Sequence, residues 1–134
     1  MDTTSRRVRR FLAQPSFAVV GASKDRSKYG NRVLRAYLQN GMPVSAVNPK
    51  ADEVEGVAAH PSLTDLPDPP AAVSVITPPH ASLHVVEEAA RLGIEHVWLQ
   101  PGAEDEAVLE RAGELGLDVI SGGPCVLVAL GYRE

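Results

Sequence analysis

A chain of 134 residues, 44% hydrophobic and 22% charged, has the length and composition of one globular domain with a substantial core, residues 1–134. Its apolar runs fall short of the roughly 18 residues that cross a bilayer, and its arginine-bearing start lacks the apolar stretch of a secretory leader. The net charge of −4 hides an asymmetry, because residues 1–50 carry ten Lys/Arg against two acids and residues 51–134 carry three against fifteen. A small polyanion therefore suits the basic half better than a nucleic acid, which an acidic chain repels outside a local patch. One cysteine, Cys125, cannot pair within the chain and fits a reducing cytoplasm.

Thr4 to Leu12 reads as a short helix, capped by Thr4 or Ser5 and ended before Gln14-Pro15. Val8, Phe11 and Leu12 form its apolar stripe, and its arginines read as a solvated face. The apolar run Ser16 to Val20 then ends on Gly21-Ala22-Ser23, a strand handing over to a loop and a helix. Glycine lets the backbone approach a ligand closely, Ser23 adds a hydroxyl, and the next helix brings free N–H groups. Lys24, Arg26, Lys28, Arg32 and Arg35 crowd the same stretch against the single acid Asp25. A phosphate-cradling loop and an ordinary strand–turn–helix junction both fit this pattern.

A helix over about 30–40 stops at Asn40-Gly41, and the stop recurs at Leu92-Gly93 and Leu115-Gly116. Each stop leads into an apolar run, which is the rhythm of parallel strands joined by crossover helices. Strands are expected near 17–20, 43–47, 72–76, 94–99 and 117–121. The fold class is α/β, a Rossmann-like three-layer sandwich with a five-stranded parallel sheet in the order 3-2-1-4-5. Ligands of such sheets lie beyond the carboxyl ends of the strands, so those ends carry the functional information.

The second end reads Asn48-Pro49-Lys50. A protein gripping the ribose of NAD places an acid there, whereas lysine suits a phosphate. Coenzyme A, with its 3′-phosphate, and NADP, with its 2′-phosphate, both satisfy that preference; a solvated loop lysine is the plain alternative. Thr77-Pro78-Pro79 and Gln100-Pro101-Gly102 are stiff, backbone-exposing ends at the same edge. Cys125, after Gly122-Gly123-Pro124, has no base fixed beside it by spacing and reads as a structural thiol, so no catalytic residue is assigned. His80 and His84 are spaced as a helical metal pair but lack further ligands at metal spacing, so no metal is assigned. Asp105 and Glu106 suit a helix's first turn, and Glu110 a solvated position one turn on.

Val19-Val20-Gly21-Ala22-Ser23, Tyr29-Gly30-Asn31-Arg32-Val33, Val47-Asn48-Pro49-Lys50 and Val97-Trp98-Leu99-Gln100-Pro101-Gly102 together resemble the stand-alone CoA-binding proteins. These are similar to the N-terminal domain of the succinyl-CoA synthetase α subunit, and the resemblance covers about residues 5–130. It implies a Rossmann-like CoA-binding fold whose ligand loops fall on Gly21, Ala22, Ser23, Lys50, Thr77, Pro78, Pro79, Gln100 and Pro101. Lys24, Asn31, Arg32 and Asn48 complete the candidate cofactor-binding set. The ending at Gly122–Cys125 looks more synthetase-like than the basic tail of many small members. The phosphohistidine and ATP-grasp domains of a synthetase are absent from this sequence, so thioester synthesis by this chain alone is not expected. The expected function is binding of coenzyme A or an acyl-CoA, with a second copy or another protein as a compatible partner. Alternatives are an NADP-binding oxidoreductase, an accessory subunit of a larger acyl-CoA enzyme and, more weakly, a DNA-associated regulator acting through the N-terminal arginines.

Overall fold

The computed structural model describes residues 3–134. In chain order the elements are α1 (Thr3–Leu12), β1 (Phe17–Val20), α2 (Tyr29–Gln39), β2 (Val44–Val47), β3 (Glu53–Val54), β4 (Val57–His60), a 3-10 turn (Leu63–Asp65), β5 (Ala72–Val75), α3 (Pro79–Arg91), β6 (His96–Leu99), α4 (Glu106–Glu114), β7 (Asp118–Ile120) and α5 (Val126–Ala129). Among the described residues these make one mixed sheet of seven strands, ordered β3-β4-β2-β1-β5-β6-β7, with five helices. All pairings are parallel except the β3–β4 hairpin.

The strands form where the chain can afford burial on both sides. All four residues of β1 and of β5 are buried, the mark of parallel strands covered by helices. Neighbours along β1 alternate between two cores. Ala18 and Val20 pack with Val85, Val86 and Ala89 of α3 and Val108 and Ala112 of α4. Phe17 and Val19 pack with Phe11 of α1, Val33, Leu34 and Tyr37 of α2, and Val126 of α5. Helices therefore cover both faces, giving three layers. The three expected helix stops are present: Gly41, Gly93 and Gly116 all have positive φ, and the following residue's N–H returns to the carbonyl of Tyr37, Ala89 or Ala112.

Two expectations about the sheet are corrected. It has seven strands rather than five, because residues 53–60 form a hairpin whose outer strand is two residues long, too short to show a period. The order 3-2-1-4-5 is also wrong for the strand near 72–76. That strand, β5, lies against β1 on the side away from β2, and the place beside β2 belongs to β4. What survives is the reversal at β1, which has β2 on one flank and β5 on the other. Smaller differences are that α1 begins at Thr3, before its expected caps, and that Asp105 caps α4 by accepting from Val108 N at 2.9 Å.

The arginines of α1 are not simply a solvated face. Arg7 Nη1 donates to Val119 O at 2.9 Å, and Arg10 Nε donates to Asp118 Oδ2 at 2.8 Å, tying the helix to the edge strand β7. His96 Nδ1 lies 3.3 Å from the same carboxylate. The hydrogen bond from Arg10, helped by the nearby charges of Arg10, His96 and Arg7, holds the Asp118 carboxyl below the usual aspartate range. A carboxyl with a lowered native pKa adds stability that is complete above its unfolded value and lost as pH falls through its native one. Asp118→Asn is therefore expected to be less stable than the parent at neutral pH and equal to it in strong acid. Urea melts in pH steps check this; a difference that does not change with pH would refute it.

Candidate functional site

At the reversal, the carboxyl ends of β1 and β5 open onto a cleft of about 470 Å³ lined by Gly21, Ala22, Ser23, Lys28, Tyr29, Gly30, Asn48, Pro49 and Ile76. Its floor depends on two glycines. Gly21 has φ +98, and a Cβ there would lie 2.2 Å from the Ile76 carbonyl oxygen. A Cβ on Gly30 would lie 1.9 Å from the carbonyl oxygen of Gly21. The start of α2 thus sits directly on the loop that leaves β1, closer than any side chain allows.

That helix start is open electrostatically as well. Lys28 stands at its cap position and makes no side-chain capping bond, and the first turn has no acid. The N–H groups and positive end of an eleven-residue helix consequently face the cleft with no side-chain cap and no acid in the helix's own first turn.

Asn48 joins the first two strand ends. Its Nδ2 donates to Ala22 O at 2.8 Å, while its Oδ1 accepts from Lys50 N at 2.7 Å and Ala51 N at 3.1 Å. One amide thereby fixes the loop after β1 and the turn carrying Lys50. Lys50 itself is exposed, one residue beyond the lining Pro49. Lys24 borders a neighbouring opening of about 450 Å³ with Glu53, Glu55 and Gly56. Thr77, Pro78 and Pro101 line a smaller one of about 210 Å³ beside the cleft, sharing Ile76 with it. Pro79 is the first residue of α3 and lines neither opening.

Three expected contact residues make hydrogen bonds within the protein. Asn31 is fully buried: its Nδ2 donates to Ser23 O at 2.8 Å and to Glu55 Oε2 at 3.2 Å, and its Oδ1 accepts from Arg35 Nε at 2.7 Å. Arg32 turns to Ser27 O, 2.6 Å from its Nη2. Gln100 is fully buried, its Oε1 accepting from Tyr29 OH at 2.9 Å and from Val126 N at 3.0 Å, while its Nε2 has no protein partner. Sequence reasoning assigned these by position along the chain and could not see which way the side chains turn.

Tyr29 was not singled out, although it lies in the stretch just before Asn31. It lines the cleft, and its hydroxyl meets Gln100 on one side and Cys125 Sγ, 2.6 Å away, on the other. Burial, then the bond to Cys125, pushes its pKa up, so it stays a neutral phenol. Trp98 explains much of the Trp-Leu-Gln segment: it is fully buried edge-on to Phe11, and its Nε1 donates to Pro124 O at 3.0 Å. The segment pins the loop that carries Cys125. That thiol is half-buried at the cap of α5, behind Tyr29. His80 and His84 lie on α3, and no group of three or more His, Cys, Asp or Glu gathers among the described residues.

A mostly parallel α/β fold with a glycine-floored cleft at its reversal defines the class. The sequence profile described as "CoA binding domain" matches residues 15–131, and the chain belongs to that family. It is 30% identical over 130 residues to acetate–CoA ligase [ADP-forming] II of Archaeoglobus fulgidus, covering 88% of this chain and 19% of the ligase. Its fold matches a conserved hypothetical protein of Pyrococcus furiosus with TM-score 0.80 and 37% identity, covering 85% of this chain and 97% of that one. It also matches the dinucleotide forming acetyl-coenzyme A synthetase 1 of Ca. Korarchaeum cryptofilum, with TM-score 0.72, 31% identity and coverage of 82% and 26%. The chain thus spans under a fifth of the ligase length. No helix among the described residues is long and apolar enough to cross a membrane.

Proposed function

We propose that this chain binds coenzyme A or an acyl-CoA in the cleft at the β1/β5 reversal of a Rossmann-like sheet. The observation that carries the reading is the uncapped, acid-free start of α2 seated on the Gly21–Ser23 loop, which fits a diphosphate. Family membership favours coenzyme A over NADP, and Lys28 adds a cation to the lining. The protein's contribution is to bind and orient: α2 receives the diphosphate, Asn48 fixes the turn, and Lys50 reaches for the ribose phosphate.

Calorimetric titration with coenzyme A, dephospho-CoA, NADP and NAD tests this, and tighter binding of NAD than of coenzyme A would reject it. Lys50→Ala sharpens the test. β2 pairs directly with β1, so a ligand whose diphosphate rests on the first loop runs its adenosine toward Lys50. A charge-assisted phosphate contact contributes about 1.5–3 kcal/mol, roughly ten- to a hundred-fold in affinity. Lys50→Ala is expected to weaken coenzyme A by that factor and leave dephospho-CoA almost unchanged. Equal weakening of both would place the lysine on the diphosphate instead.

A further inference from the structure

The β3–β4 hairpin ends in a two-residue turn, Glu55-Gly56, and Glu55 is the only non-glycine residue with positive φ among the described residues, at +51°. Glycine, asparagine and aspartate fit that turn position with little strain; glutamate does not. Their side chains, however, fall short of where this one reaches. The Glu55 carboxylate pairs with the Arg26 guanidinium through Oε1 and accepts from Asn31 Nδ2 at 3.2 Å through Oε2. The other charged groups around it are Lys24 and Glu53, which border the same opening, and Arg35, whose charge also reaches the carboxylate.

We propose that Glu55 is a positioning residue that clamps the Ser23–Lys28 loop in its ligand-receiving shape, so that the hairpin sets the affinity of the cleft for coenzyme A. Both Asn31 and Arg35 hold the loop from the helix side: Asn31 takes Ser23 O at 2.8 Å, and Arg35 Nη2 donates to Arg26 O at 2.9 Å. Glu55 holds it from the sheet side, through the side chain of Arg26 and through Asn31 itself. The hairpin is a firm anchor, because β4 pairs with β2 through Ala46↔Ala59 and Val47↔His60 and Val54 is buried. Between the two supports the loop keeps its own short bonds, Asp25 N to Ser23 Oγ at 3.1 Å and Ser27 N to Asp25 Oδ1 at 2.9 Å. Ser23 and Lys28, its two ends, both line the cleft. A strained glutamate is thus kept where the turn alone would favour a smaller residue, and what it reaches is the wall of the site.

The proposal rests on the coenzyme A reading, and the test separates the two. Glu55→Gly relieves the turn and removes the clamp, whereas Glu55→Gln keeps an acceptor for Asn31 and loses the charge. Amide exchange of residues 23–28 is followed in the ligand-free protein, beside thermal melts and calorimetric titration with coenzyme A. Glu55→Gly is expected to speed exchange in that loop and weaken coenzyme A by roughly five- to ten-fold, while its melting temperature holds or rises; Glu55→Gln should fall between it and the parent. A purely structural residue would move stability and affinity together. Parent-like exchange, or coenzyme A bound as tightly as or more tightly than in the parent, overturns the clamp. If the parent itself fails to bind coenzyme A, the functional reading falls, and loop exchange alone decides whether Glu55 holds the loop.

Discussion

Gly30→Ala is expected to destabilise the protein by about 3 kcal/mol or more and to abolish measurable coenzyme A binding. The added methyl would stand 1.9 Å from the Gly21 carbonyl oxygen and 2.9 Å from its carbon. Gly21 cannot retreat, because its N–H is bonded to Val47 O at 3.2 Å and the far side of its Cα is closed by Ile76 O. Helix α2 must lift instead, and it carries Val33, Leu34 and Tyr37, all fully buried. Lifting it separates the helix start from the loop and so dismantles the cleft. Gly113→Ala is the matched control: it lies within α4 with nothing within 4 Å of its added carbon, so about 0.5–1 kcal/mol of stabilisation is expected there. Urea melts and titration of both variants decide the matter. A stable Gly30→Ala protein that keeps its affinity would mean that the contact between helix and loop is not needed.

Asn31→Leu should cost about 2–4 kcal/mol and weaken coenzyme A in the same step. Leucine has similar bulk but leaves Ser23 O and the buried Arg35 guanidinium without this partner, and it removes the bridge to Glu55. A residue that touched the ligand directly would behave otherwise, losing affinity at nearly unchanged stability. Combined melts and titrations separate these outcomes, and unchanged stability would return Asn31 to the list of direct contacts. Asn31 and Glu55 belong to one network, so their effects should not add: Asn31→Leu with Glu55→Gly is expected to lose less than the sum of the two.

The site is assembled from short-range and long-range pieces, and they differ in how readable they are. The Gly21–Ser23 loop, the uncapped basic helix start and the Asn48-Pro49-Lys50 turn are written in neighbouring residues. Most of the cleft lining therefore comes from stretches the sequence already marked. The remaining support is non-local. Tyr29 meets Gln100 across 71 residues of chain, Trp98 meets Pro124 across 26, and Arg26 meets Glu55 across 29.

By itself, then, the amino-acid sequence determined the α/β class, the glycine-ended helices, the reversal at the first strand and the family. Each of these depends on local backbone preference or on the period of apolar residues, which neighbouring positions encode. Tertiary structure alone decided the added strands β3 and β4, the side of β1 that receives β5, and the inward turn of Asn31 and Gln100. It also decided that a carboxylate from a two-residue turn would reach the loop of the site. Those outcomes depend on which distant segments pair and on which way a side chain points once they have paired. A strand of two residues has no period to read, and a polar side chain beside a loop can turn to a ligand or to the core with the same sequence around it. The choice falls to the buried partners that satisfy it, here Ser23 O and Arg35 for Asn31, and Tyr29 and Val126 N for Gln100.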